Sequence, residues 1–150
     1  MPSKDLIEAQ GTLRVLIQNL IDAQIALKDI GDAARSETLH RYFLSESLTR
    51  AEFRGELEGI LHREGVRDVH ETGTAGGAVI RAWTAVKAKL GGGDPALIEA
   101  ASEGESSTID AYTDALRKDL PLPIRQVLAR QATHVLQSCE YVTAARAGAS

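Results

Sequence analysis

PALIEAASEGESSTIDAYTDALRK, residues 95–118, is the stretch whose reading decides the fold. Its apolar side chains fall at Ile98, Ala101, Ile109, Tyr112 and Leu116, and at about 100° per residue they form one stripe of a helix. Glu105 stands near the middle of that stripe. A carboxylate there is costly unless something pairs with it. Helical bundles that hold metal ions are built from inward carboxylates of this kind, so one residue raises the question of fold and the question of site together.

Outward from this helix, the punctuation is clear. Asp94 followed by Pro95 predicts an N-cap and a first-turn proline, and Gly91-Gly92-Gly93 ends whatever precedes them. Leu120-Pro121-Leu122-Pro123 stops the helix near Asp119, because a residue before proline is pushed out of the α region. A last helix is expected from Ile124 to about Ala144, with Val127, Leu128, Val135 and Val142 as its apolar set. Upstream, Leu13, Leu16, Ile17, Leu20, Leu27 and Ala34 recur at steps of three and four, so a first helix starts near Thr12 or as early as Lys4. Ser36 is the expected N-cap of a second, carrying Leu39, Tyr42, Phe43, Phe53, Leu57 and Ile60 and ending by Gly65. The glycines of Thr72 to Gly77 predict a loop, and Ala78 to Leu90 predicts a shorter helix with Val79, Trp83, Val86 and Leu90. Four long helices and one short segment make an all-α protein, an antiparallel bundle over residues 1–150 in a single domain.

Composition narrows the partners. With 150 residues the chain is long enough to bury a real core, and a formal charge of -4 supplies no broad positive field. Nucleic acid and anionic membrane are therefore not expected as partners. The single cysteine, Cys139, cannot form an internal disulfide, no apolar run reaches the roughly 20 residues of a membrane span, and the first residues lack a signal peptide's apolar centre. A cytoplasmic location is the expectation.

Polar residues on apolar stripes are informative because the pattern forbids them. The first helix carries Gln24 near its stripe, with Asp22 on the opposite, solvated side; the second carries Glu46 and Arg50 in line with Phe43 and Phe53, and Glu56 at the edge. The last contributes Gln131, Cys139 and, on its flank, His134. One reading assembles a metal site from Glu56, Glu105 and Glu46 with His134 as a further ligand, iron being the metal to consider. The other is a buried polar layer in which Arg50 neutralises Glu46 and a second acid while glutamines complete the hydrogen bonds. Trp83 and Tyr112 read as core, Cys139 as a small buried hydrophobe, and the three glycines at 91–93 match no phosphate loop. His40, His62 and His70 receive no role.

Arg50-Ala51-Glu52-Phe53 with Glu56-Leu57, Arg81-Ala82-Trp83 with Lys87, Gly104-Glu105 with Tyr112 and Ala115-Leu116, the Leu-Pro turn, and Gln131 with Val135 occur in an order that resembles an uncharacterised bacterial family of the ferritin-like superfamily. That family is described as a four-helix-bundle domain of unknown function, and the resemblance spans about Leu13 to Arg146. It implies acids at the positions held here by Gln24 and Ser102, and histidines at those of Ile80 and Cys139; Glu56 and Glu105 match. The resemblance thus implies a member that has lost candidate metal ligands. The function expected is non-enzymatic, that of a homo-oligomeric structural or stress-associated bundle, against the alternative of a carboxylate-bridged protein handling iron or peroxide. A third expectation, a module binding another protein, would show as an exposed apolar patch around Val79, Trp83 and Val86. Spare apolar faces at Ile21 and Ile25, and at Leu44, Leu48 and Leu61, are the expected source of the homo-oligomer.

Overall fold

The computed structural model describes residues 4–65 and 82–149. Four long helices carry it: α1 Lys4–Ala33, α2 Glu37–Arg63, α3 Asp94–Leu116 and α4 Leu122–Ala149, with a 3-10 helix at Ala85–Lys89 before α3. No strand occurs among the described residues. No helix among them is long and apolar enough to cross a membrane.

The helix ends follow local chemistry. Ser36 caps α2 as expected, its hydroxyl accepting from the Leu39 N–H at 3.3 Å, and Gly65 turns the chain away at φ +84°. Asp94 departs from expectation. Gly93, at φ +86°, is the N-cap of α3, and the Asp94 carboxylate instead accepts from the Arg35 and Ser36 N–H groups at 2.8 and 2.9 Å. It thus ties the start of α3 to the turn between α1 and α2. The short segment is also different: residues 82–84 are helical and Ala85–Lys89 tightens to a 3-10 turn. Trp83 just before this turn and Val86 within it are both buried. The exposed patch expected around them is therefore absent at these two residues; Val79, the loop Thr72 to Gly77 and His70 lie outside the described residues. α4 begins two residues earlier than expected, since Pro123 fits a first turn, and runs on past Ala144.

Cross-links set the helix directions. Gly31 of α1 faces Leu44 of α2, and the Ser47 hydroxyl donates to the Gln24 carbonyl, so α1 and α2 are antiparallel. Lys118 at the end of α3 reaches Thr12 near the start of α1, while Asp94 sits at the other end, so α1 and α3 are antiparallel as well. Contacts from Tyr112 to Gln131 and from Ser138 to Glu105 run α4 antiparallel to α3. The order is up, down, down, up, with α2 and α3 parallel and joined by the long connection between Arg63 and Asp94.

The interior has two apolar halves. One gathers Leu13, Leu16, Leu20, Phe53, Leu57, Leu128 and Val135; the other gathers Ala23, Leu27, Phe43, Trp83, Ile98, Ala101 and Val142. Between them lies a polar storey, because Glu46, Ser47 and Arg50 separate Phe43 from Phe53, Glu105 and Thr108 separate Ala101 from Ala111, and Ser138 separates Val135 from Val142. Gly104 has a packing reason: a Cβ there would meet the Trp83 ring at 2.4 Å. The chain accepts glycine's cost of about 1 kcal/mol in a helix interior in order to seat the indole. Of the spare apolar faces expected, Leu61 is fully buried, Ile21 packs on the core and Leu44 rests against Gly31, whereas Ile25 and Leu48 remain 51% and 66% exposed.

Candidate functional site

Arg50 is the centre of the polar storey. Its side chain is fully buried, its Nε donates to Glu46 Oε1 at 3.0 Å on the same helix, and its Nη2 donates to Glu105 Oε2 at 2.6 Å across the core. Spacing i, i+4 brings Glu46 and Arg50 onto one face of α2, which is why the sequence places them in line. Burial alone would lower the guanidinium's pKa, but the Glu105 carboxylate and then Glu46 outweigh it, so the pKa is raised and the group stays charged.

The network extends to both rims. Ser138 donates to Glu105, so its single proton is used and the Tyr42 hydroxyl donates to Ser138 at 2.6 Å. Burial, the largest influence on Tyr42, drives its pKa upward. At the other rim His134 Nε2 meets the two Glu46 oxygens at 2.8 and 3.1 Å, and the imidazole packs edge-on to the Phe53 ring. An Nε2 facing a carboxylate is the donor in that contact, because the ionised carboxylate can only accept. Arg50 Nη1 and Glu105 Oε1 are buried with no hydrogen-bond partner.

Two further polar chains flank this one. Trp83 Nε1 donates to Thr108 at 2.9 Å, and Thr108 donates to Asn19 Oδ1 at 2.8 Å. Tyr112 donates to Gln131 at 2.7 Å; Gln131 in turn donates to the Phe53 carbonyl and to Glu56, whose other oxygen is held by Arg130. Tyr112 too has its pKa raised, chiefly by burial.

The structure therefore divides the expected metal set. Glu46, Glu105 and His134 join one network through Arg50, while Glu56 belongs to another, closed by Arg130 and Gln131. Among the described residues no group of three or more His, Cys, Asp and Glu is arranged to hold a metal ion. The donor chemistry does not fit a di-iron centre either, since the cation between the inward acids is already a guanidinium. Glu37 and His40 have the Glu-x-x-His spacing of such centres, which sequence reasoning passed over. They serve elsewhere: Glu37 is exposed and paired with Arg41, and His40 Nδ1 meets the Gly31 carbonyl at 2.7 Å.

Sequence reasoning also chose Cys139 where Ser138 faces the core. Cys139 is half-buried, and burial raises its thiol pKa, as expected of an inert cysteine. The missed signal was the spacing Gln131, Val135, Ser138, Val142, which keeps steps of four, three and four. Asp22, expected on a solvated side, is half-buried; burial raises its pKa despite the hydrogen bond from Gln18, and its Oδ2 has no partner. Gln24 and Ser102 are half-buried, and Ile80 lies outside the described residues.

Fold and site together define an all-helical protein with an arginine-centred ionic layer inside it. The family model described as "Domain of unknown function (DUF2383)" matches residues 8–118, and the chain belongs to that family. No curated protein and no solved structure matches the chain.

Proposed function

We propose that this chain is a non-enzymatic, homo-oligomeric member of its family: an antiparallel, ferritin-like four-helix bundle with a degenerate metal site, serving a structural or stress-associated interaction role. The observation that carries the reading is the position of Arg50. Dimetal bundles set carboxylates from facing helices around two cations. Here two inward carboxylates from facing helices surround one guanidinium instead. The up, down, down, up order with one long connection supports the ferritin-like assignment, because that topology has a single crossover.

Anaerobic titration of the apo-protein with ferrous iron, followed by desalting and elemental analysis, tests the reading. Less than one retained iron per chain and no iron-dependent oxidase activity are expected. Retention of two irons per chain, lost in Glu105→Ala, would overturn it in favour of a carboxylate-bridged protein handling iron or peroxide.

A further inference from the structure

The face of α4 beside the α3–α4 groove carries positions spaced symmetrically about one midpoint, with complementary rather than identical residues at equivalent places. Arg125, Ala129, Ala132, Thr133, Leu136 and Glu140 fall within one arc of the helix at about 100° per residue. Leu136 is 49% exposed. With Ile109 and Leu116 of α3 it lines an open groove of about 310 Å³ whose α4 wall is otherwise small: Ala129, Ala132 and Thr133. The Thr133 hydroxyl donates to the Ala129 carbonyl at 3.0 Å, so it brings no unsatisfied polar group into the groove.

The midpoint of the pattern lies between Ala132 and Thr133. Ala129 and Leu136 are equidistant from it, and so are Arg125 and Glu140. A second α4 laid antiparallel about that midpoint sets each Leu136 against the partner's small wall. It also sets each Arg125 opposite a Glu140, twice by symmetry. Large against small lets two helices approach closely. A parallel pairing in the same register would set Arg125 against Arg125 and Glu140 against Glu140, so the charges select the antiparallel one. Arg125 is also anchored at the end of the stripe, its Nη1 donating to the Lys118 carbonyl at 2.7 Å.

We propose that a second copy of this chain docks in the α3–α4 groove, α4 against α4, about a two-fold axis between Ala132 and Thr133. This rests on the homo-oligomeric part of the reading above and names its surface. Sedimentation of the full chain over a range of concentrations provides the test, with circular dichroism confirming that each variant is folded. Wild type is expected to dimerise. Arg125→Glu and Glu140→Arg each place like charges across both symmetric junctions and are expected to weaken the dimer by about tenfold or more, while the double reversal restores it. A concentration-independent monomer overturns both the interface and the homo-oligomeric reading. A dimer indifferent to all three charge variants overturns the interface alone and moves the contact to another face, such as that bearing Ile25 or Leu48.

Discussion

Replacing Arg50 and Glu105 separately and together distinguishes a neutralised core layer from any other role for these residues. Arg50→Leu removes a fully buried cation that two carboxylates share at 3.0 and 2.6 Å. Taking one partner from a buried ion pair costs about 3–5 kcal/mol, because the remaining charge is left without solvent or counterion. Glu105→Leu is different in kind. Arg50 keeps Glu46, Ser138 keeps Tyr42, and the group of one cation and two acids becomes a balanced pair, so the change is expected to stay within about 1 kcal/mol of wild type in either direction. The decisive comparison is in the Arg50→Leu background, where Glu105→Leu removes an uncompensated buried acid and is expected to restore about 1–3 kcal/mol. Urea denaturation followed by circular dichroism, with linear extrapolation, gives all three values. If Glu105→Leu destabilises the Arg50→Leu protein further, or if Arg50→Leu costs no more than Glu105→Leu alone, the neutralisation argument fails.

Gly104→Ala adds a methyl where the Trp83 ring stands 2.4 Å away, and is expected to cost about 1–3 kcal/mol despite alanine's better helix propensity, with a shift in tryptophan emission. An unchanged melt and spectrum would refute the close packing. Asp94→Ala removes the acceptor for two N–H groups at the α1–α2 turn and is expected to cost about 1 kcal/mol in a thermal melt, whereas a purely local capping role would leave hydrogen exchange at Arg35 and Ser36 unaltered. Asp22→Asn is expected to stabilise the protein at neutral pH. Burial raises the Asp22 pKa above its usual 3.8, so any stability linked to its protonated form is fully present below that value and lost as pH rises through the folded-state pKa. The variant's advantage in melting temperature should therefore shrink on acidification below the ordinary carboxylate range, and an advantage independent of pH would argue against desolvation as its source.

The helices were legible in the sequence because glycine, proline and apolar spacing act locally. Ser36, Gly65 and the Leu-Pro turn punctuate the structure as they do the sequence. Pairing of Arg50 with Glu46 was legible for the same reason, since both lie on one helix face one turn apart. Direction and partner choice across helices were not. Nothing within the sequence of α3 says that the Asp94 carboxylate bonds another helix's turn, or that Glu56 and Glu105 belong to separate networks, because both facts depend on how far apart whole helices stand. Ser138 was lost for a smaller reason: one residue is about 100° of helix, and Cys139 drew attention by its chemistry rather than its register.

The polar storey also bears on the order in which the chain assembles. α1 with α2, and α3 with α4, are hairpins joined by short turns, so their contacts are close in sequence and cheap to form. Arg50 and Glu105 are 55 residues apart and stand one in each hairpin. Their bond requires both hairpins to be formed and docked with the right register, and docking one turn out of place would leave all three charges facing apolar side chains. The ionic layer is thus expected to act late, as a check on docking rather than a nucleus for it. In kinetic terms Arg50→Leu should accelerate unfolding far more than it slows folding, and a chevron in which the folding limb absorbs most of the change would place this contact in the nucleus instead.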